Sequence, residues 1–312
     1  MASATEVEVE GRRVRVSNLD KLLYPDGTSK GEVIDYYSRI APVLLDHLRG
    51  RPLTMLRYPD GVEGKRFYEK QCPSHRPDWV RTTPIDARGE GRFGHTSTKG
   101  PRTIDFCLVD DLPTLVWVAN LASLELHVTL ARAEAIDCPT AVVFDLDPGE
   151  PAGLAECAQV GLLVRDLLAG LGLECAIKTS GSKGLQVYLP LNTEVTYEQT
   201  TPFAKAVAGL LEREHPKLVV SRQAKDLRKG KVLVDWSQNV DFKTTVCAYS
   251  LRARERPTIS APLAWDEVEG ATTRGAADRL RFEPADVLDR VATNGDLFRP
   301  SLEVEQQLPA LS

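Results

Sequence analysis

The chain has 312 residues, 42% of them hydrophobic and 27% charged, with a formal net charge of −5. It can bury a sizeable core, as one large domain or two closely packed lobes, and it contains no internal repeat or low-complexity tract. No stretch approaches the roughly 18 apolar residues needed to cross a bilayer, and residues 1–10 carry three glutamates instead of an apolar leader. A soluble, cytoplasmic protein without a membrane partner is expected.

Residues 14–25 read as a short strand and turn. Ser29 with Glu32 then forms a capping box that opens a helix reaching Leu48, with Val33, Ile34, Tyr37, Ile40, Leu44, Leu45 and Leu48 in helical period and Gly50 and Pro52 ending it. Residues 53–58 read as a strand closed by the turn Pro59, Asp60, Gly61. Residues 87–100, rich in Gly, Arg, Ser and Thr, lack apolar periodicity and are expected to be a loop or long hairpin. A strand near 104–109, a helix over 112–120 and an alternating strand over 124–130 follow.

The central unit is a strand over 140–147, a helix over 152–171, a strand over 174–178, a Gly/Ser loop over 180–184 and a strand over 185–189. A helix over 200–213 leads through a basic loop to a strand over 232–236. The last fifty residues mix short helices with proline.

The six cysteines, Cys72, Cys107, Cys138, Cys157, Cys175 and Cys247, are scattered singly, so reduced thiols are expected. Cys72 with His75 is the nearest approach to a zinc half-site, and no second pair follows at finger-like spacing. Although the net charge is negative, basic residues gather at Arg12, Arg13 and Arg15, at Lys65, Arg66 and Lys70, and at Lys225, Arg228, Lys229 and Lys231. Local charge of this kind decides nucleic-acid affinity more than the sum does.

In VVFDLDPGE, period-two alternation sets Val142, Phe144 and Leu146 on one face and Asp145 and Asp147 on the other. Paired carboxylates at a strand end read either as solvated side chains or as oxygen ligands for magnesium or manganese. The strand VLVDW delivers a third, Asp235, and three carboxylates suffice for two metal ions about 3.5–4 Å apart. Spacing alone does not place Asp235 beside the pair. The loop Ser180, Gly181, Ser182, Lys183, Gly184 suits a triphosphate, but it lacks the P-loop spacing and reads equally as a flexible turn. His127 faces away from Leu126 and Val128. Arg252 and Arg254 alternate with Leu251 and Ala253 and so share a face suited to phosphate.

Taken in order, SNLDKLLYPDGTSKGEVIDYY, RYPDGVEGKRFYEKQ, LELHV, VVFDLDPGE, KTSGSKGLQVYLPL, VLVDWSQN and YSLRARERP resemble the archaeo-eukaryotic primase superfamily, specifically the polymerase domain of bacterial ligase D. The resemblance covers residues 16 to about 265, with 266–312 as the C-terminal part of one catalytic domain. It implies an α+β fold of two interlocked sheets flanked by helices around one cleft. It also implies template-directed addition of nucleotides, ribonucleotides preferred, with two Mn2+ or Mg2+ ions held by Asp145, Asp147 and Asp235.

By the same resemblance His127, Ser180, Lys183, Gln186, Gln238 and Arg252 hold the incoming nucleotide, and Phe67 and Tyr68 stack on base and nucleotide. Lys21 and Lys30 grip a 5′-phosphate, and Arg228 and Lys70 meet the primer. Implied partners are gapped or broken DNA, ribo- or deoxynucleoside triphosphates, Ku and a DNA ligase, in the bacterial nucleoid. Gln186 departs from the histidine of many relatives, and Thr54, Met55, Leu56, Arg57 lacks an extra basic residue that some carry. No ligase-type nucleophilic lysine motif or phosphoesterase segment is present, so a stand-alone polymerase or an excised domain is expected.

End joining and short-gap filling in excision repair both fit this reading. Two other classes compete with it. The Asp-Leu-Asp strand also resembles haloacid dehalogenase phosphatases, although Pro148 and Gly149 follow where that family has Gly-Thr. A non-catalytic module that bridges DNA ends would use Lys21, Lys30 and the basic loops.

Overall fold

A computed structural model describes residues 4–86 and 103–309. The loop expected over 87–100 lies outside the described residues. Packing divides the chain into two compact units, the first formed by Met1–Thr129, Thr244–Ile259 and Glu283–Thr293 and the second by Leu130–Lys243, Ser260–Phe282 and Asn294–Ser312.

The first unit begins with a hairpin, β1 (Ala4–Val9) and β2 (Arg12–Ser17), turning at Glu10 and Gly11 with φ of 48° and 76°. Next comes α1 (Lys30–Leu48), where the Ser29 hydroxyl accepts from Glu32 N–H at 3.3 Å and the Glu32 carboxylate accepts from Ser29 N–H at 2.7 Å. This reciprocal cap satisfies two backbone donors that the helix start leaves without partners. The apolar stripe Val33, Tyr37, Ile40, Leu44 and Leu48 is buried as the helical period requires. Then follow β3 (Leu53–Arg57), β4 (Phe67–Glu69), β5 (Thr82–Asp86), β6 (Thr103–Cys107), α2 (Leu112–Asn120) and β7 (Ser123–Val128).

The second unit contributes β8 (Ala141–Pro148), α3 (Leu154–Gly170), β9 (Ala176–Thr179), β10 (Leu185–Pro190), α4 (Tyr197–Glu214), β11 (Val219–Val220) and β12 (Val232–Asp235). The chain returns to the first unit with β13 (Thr245–Val246), β14 (Leu251–Ala253) and β15 (Pro257–Ile259), and ends through β16 (Pro262–Leu263), α5 (Trp265–Glu269), α6 (Arg274–Ala277), α7 (Pro284–Asn294) and α8 (Pro300–Glu303).

Each unit has its own six-stranded sheet. In the first the order is β13-β7-β3-β6-β5, with β4 also paired to β3; in the second it is β11-β12-β8-β10-β9-β16. Strand β8 lies in the middle of the second sheet, antiparallel to both β10 and β12. Its Leu146 face is covered by α3, where a Cβ on Gly161 would stand 3.0 Å from the Ile177 side chain and 3.6 Å from that of Leu146. The opposite face, which carries Asp145 and Asp147, is left for polar neighbours.

The thiols do not all follow the sequence expectation. Cys72 and Cys107 form a disulfide with Cα atoms 5.1 Å apart, so the reduced state expected for both is corrected, and Cys72 is removed from the half-site with His75. The cause is tertiary: Cys72 N–H donates to Asp105 O, which lays the segment after β4 along β6 and brings the two sulfurs together. Cys138, Cys157, Cys175 and Cys247 are not disulfide-bonded. Because the bridge spans a sequence separation of 35 residues, its reduction is expected to cost about 4 kcal/mol through loop entropy. Thermal melts with and without a phosphine reductant check this, and unchanged midpoints would refute it.

Candidate functional site

The register of the second sheet sets the polar groups in line. Asp235 on β12 stands opposite Asp145 on β8, Asp145 opposite Gln186 on β10, and Gln186 opposite Lys178 on β9. Residues paired across strands share a face, so these four form one row, and Asp147, two residues beyond Asp145, lies on that face too. The row is hydrogen-bonded. Lys178, fully buried, donates to Gln186 Oε1 at 2.6 Å and to Ser260 Oγ at 2.6 Å, and Gln186 Nε2 donates to Asp145 Oδ1 at 3.2 Å. The ammonium fixes which end of the amide is which: Gln186 accepts from Lys178 and donates to Asp145.

Burial raises the Asp145 carboxyl to about 6, with the charges of Asp235 and Asp147 adding to the rise while the Gln186 hydrogen bond and the Lys178 charge oppose it. Asp235 is buried and heavily solvated by protein donors. Gln223 Nε2 reaches both of its oxygens at 3.2 Å, Ser237 donates from N–H at 2.8 Å and from its hydroxyl at 2.6 Å, and Gln238 Nε2 donates at 3.1 Å. Asp147, half-exposed, pairs with the Arg228 guanidinium from the basic loop.

Among the described residues no three carboxylate, imidazole or thiolate groups converge as a closed metal cage. The three aspartates are turned to amides and a guanidinium instead. Their chemistry nevertheless fits a hard divalent cation: oxygen-only donors, gathered on one sheet face, with mutual repulsion that a cation would relieve.

Two glycines let the chain close tightly around β8. A Cβ at Gly184 would fall 2.0 Å from Leu146 O, and one at Gly149 would fall 2.0 Å from Arg228 O. Any larger residue would displace the loops that carry Ser180 and Arg228. Within the 180–184 loop the Ser180 hydroxyl accepts from Ser182 N–H and Gly184 N–H, each at 3.2 Å, so two amides that the sequence suggested for an anion are here turned inward. Lys183, exposed, lies 3.6 Å from Glu150.

The first unit carries a second constellation on β7. His127 Nε2 is 2.9 Å from Glu125 Oε2, and Arg252 Nε from β14 lies 3.0 Å from the same oxygen. Ala253 N–H donates to Glu125 Oε1 at 3.1 Å. Burial alone would raise the Glu125 carboxyl, but its hydrogen bond with His127 and the charge of Arg252, with the backbone donor, hold it down at about 2. The Tyr68 ring meets the His127 ring edge-on at 6.0 Å. Phe67 and Tyr68 are 41% and 60% exposed, unusual for large aromatics and apt for stacking on a ligand. Arg57, paired with Glu69, sits over the Phe67 ring at 5.2 Å. Burial lowers the Lys70 ammonium.

Lys21 and Lys30 line a separate cavity of about 690 Å³ in the first unit, together with Arg15, Arg57 and His75. Lys30 donates to Ser17 O at 2.6 Å, and Lys21 lies 3.2 Å from Asp60. Burial, then the charges of Lys21 and Arg57, lower Lys30 to about 8. Of the cations that line it, Lys21 faces Asp60 and Arg57 faces Glu69, while Lys30 meets oxygen atoms of Ser17.

The structure thus gathers Asp145, Asp147, Asp235 and Gln186 on one sheet, brings Arg228 and Gln238 to its aspartates from flanking loops, and has Ser180 and Lys183 in the loop between β9 and β10. It places His127, Arg252, Phe67, Tyr68 and Lys70 in the other unit, and Lys21 and Lys30 in their own pocket. Sequence reading missed Glu125, Lys178, Gln223 and Ser237. Glu125 was within reach of it, since it shares the period-two face of His127.

Residues 29–298 match the family described as LigD, primase-polymerase domain. The multifunctional non-homologous end joining protein LigD of Mycolicibacterium smegmatis is 43% identical over 291 residues, 92% of this chain and 36% of that protein. The bifunctional non-homologous end joining protein LigD of Bacillus subtilis is 30% identical over 288 residues, 92% of this chain and 44% of that protein. The chain therefore spans less than half the length of these relatives. The polymerase domain of Mycobacterium tuberculosis ligase D, solved in complex with DNA, superposes with a TM-score of 0.83 at 40% identity, covering 94% of this chain and 99% of that one. The α+β, primase-like fold agrees with this likeness, and the chain belongs to the LigD primase-polymerase domain family.

Proposed function

We infer that this chain is a template-directed nucleotidyltransferase that extends primer 3′ ends at short gaps or broken DNA ends carrying a 5′-phosphate, in non-homologous end joining. The observation that carries this reading is the cross-strand register that sets Asp235 beside Asp145 with Asp147 on the same face. In it, Asp145, Asp147 and Asp235 hold divalent cations, two Mn2+ or Mg2+ ions; when bound, these supply Lewis-acid stabilisation of charge at phosphorus and acidify the attacking hydroxyl.

The chain's own side chains do the rest. Ser180, Lys183, Gln238, His127 and Arg252 bind the triphosphate and sugar, and Gln186 keeps Asp145 oriented through its Nε2 donor. Phe67 and Tyr68 offer exposed aromatic faces to base and template. Arg228 and Lys70 meet the primer, and the Lys21 and Lys30 pocket takes the downstream 5′-phosphate. Ribonucleotides are the preferred substrates, and Ku and a ligase are the partners.

Primer extension on a short-gapped duplex with a downstream 5′-phosphate, with manganese and either ribo- or deoxynucleotides, tests this. Template-directed addition that is absent from an Asp145→Ala, Asp147→Ala double variant is the expected result. No addition by the wild type on gapped or broken ends would leave DNA-end binding as the better account.

A further inference from the structure

We propose that Glu125 is a positioning residue that holds His127 and Arg252 together as one anion-binding unit for the nucleotide triphosphate, an inference that rests on the polymerase reading above. A carboxylate is an odd group to bury on a face meant for anions. Its side chain is only 5% exposed, and its polar contacts run to the His127 and Arg252 side chains and to the backbone next to Arg252.

The topology explains why such a tie is needed. Strand β14 pairs with β15 in a ribbon of its own, not with β7, so no ladder hydrogen bond sets Arg252 against His127. Tyr37 fixes only the backbone here, its hydroxyl accepting from Leu251 N–H at 3.1 Å and donating to Leu124 O at 2.8 Å. Glu125 lies against the Arg252 side chain itself, its Oε2 3.0 Å from Arg252 Nε. With His127 Nε2 2.9 Å from the same carboxylate oxygen, Glu125 holds the two side chains next to each other on one face. A fork held in this way loses less side-chain freedom when it binds. Arg66 and Arg254 also feel the Glu125 charge, so the same carboxylate offsets the repulsion within a crowded basic face until the ligand arrives.

The test is ATP binding with Mn2+ and no DNA, measured by calorimetry on wild type and on the Glu125→Ala, Glu125→Gln, His127→Ala and Arg252→Ala variants, with steady-state extension beside it. Glu125→Ala is expected to weaken ATP about tenfold, raising KM for the nucleotide more than it lowers kcat. Adding Arg252→Ala to it should then cost clearly less than Arg252→Ala costs alone, because the arginine is no longer held beside His127. Glu125→Gln, which keeps the shape and a carbonyl acceptor, should fall between wild type and Ala, and it keeps the test available should Glu125→Ala fail to fold. If both Glu125 variants bind ATP as wild type does while His127→Ala and Arg252→Ala bind poorly, this inference is overturned and the polymerase reading stands. A wild type that binds no ATP sinks both.

Discussion

Asp145→Asn is expected to abolish nucleotide addition and, in the absence of divalent cations, to raise the melting temperature. The loss of activity should reach about a thousandfold or more, because on the function proposed above Asp145 is one of the carboxylates that would hold the divalent cations, and removing its charge forfeits several kcal/mol of transition-state stabilisation. The gain in stability follows from the raised pKa. The Asp145 carboxyl sits near 6 in the folded protein, chiefly because it is buried and then because Asp235 and Asp147 repel it, whereas an unfolded aspartate titrates near 3.9. A carboxyl shifted upward contributes most favourably below about pH 4, and that contribution is lost as pH rises through about 6. At pH 7.5 the metal-free wild type therefore carries the whole penalty, roughly 2–3 kcal/mol at about 1.4 kcal/mol per unit. The variant carries none of it. Scanning calorimetry in chelator from pH 5 to 8 should show the wild type losing stability relative to Asp145→Asn with rising pH; parallel curves would count against the raised carboxyl.

The preference for a 5′-phosphate over a 5′-hydroxyl on gapped DNA should fade as pH rises through about 8. Lys30 owes its lowered pKa first to burial and then to the neighbouring cations Lys21 and Arg57, so in the free protein it gives up its proton near pH 8. Only the ammonium attracts phosphate, and binding of the dianion pulls the proton back, so affinity is highest below that value and falls above it. Lys30→Ala should cut the discrimination at pH 7 by roughly 10–100-fold, the worth of one charge-assisted hydrogen bond, and flatten its pH profile. Lys21, more exposed and shared with Asp60, should matter less. Anisotropy titrations of the paired substrates from pH 6.5 to 9 read both effects, and a constant ratio across that range would show that Lys30 does not hold the phosphate.

What the sequence reveals and what it hides follow from how far apart the interacting residues are. The capping box at Ser29 and the alternation in β8 are local signals, and the structure reproduces α1, α2, β8 and β10 closely. Helix α4 starts at Tyr197, earlier than its apolar period suggests, because the Gln199 side chain reaches back to Thr196 N–H at 3.0 Å. Strands β11, β13 and β16 have two residues each and exist only through their partners, so no window of sequence could show them. The β1–β2 hairpin was missed although Val7 and Val9 alternate with glutamates, since a charged terminus reads as a solvated tail.

The candidate site divides in the same way. That Asp145 and Asp147 share a face follows from period two. That Asp235 stands opposite Asp145 depends on a register set 90 residues away in sequence, which spacing does not encode. The Cys72–Cys107 pairing is equally non-local. Glu125 escaped for a different reason: a charged residue inside a strand is normally a solvent-facing one, and its burial is offset by His127 together with Arg252 and the Ala253 N–H, the last two arriving from β14.

Gln186 makes the link between Lys178 and Asp145 indifferent to acidity. Any side chain in that place must accept from the ammonium on one side and donate to the carboxylate on the other. An imidazole does so only while neutral, and once protonated it has two donors and nothing with which to receive the lysine. The amide keeps one acceptor and one donor end at every pH, so the residue that joins the row at its centre presents the same two faces whatever the acidity around it.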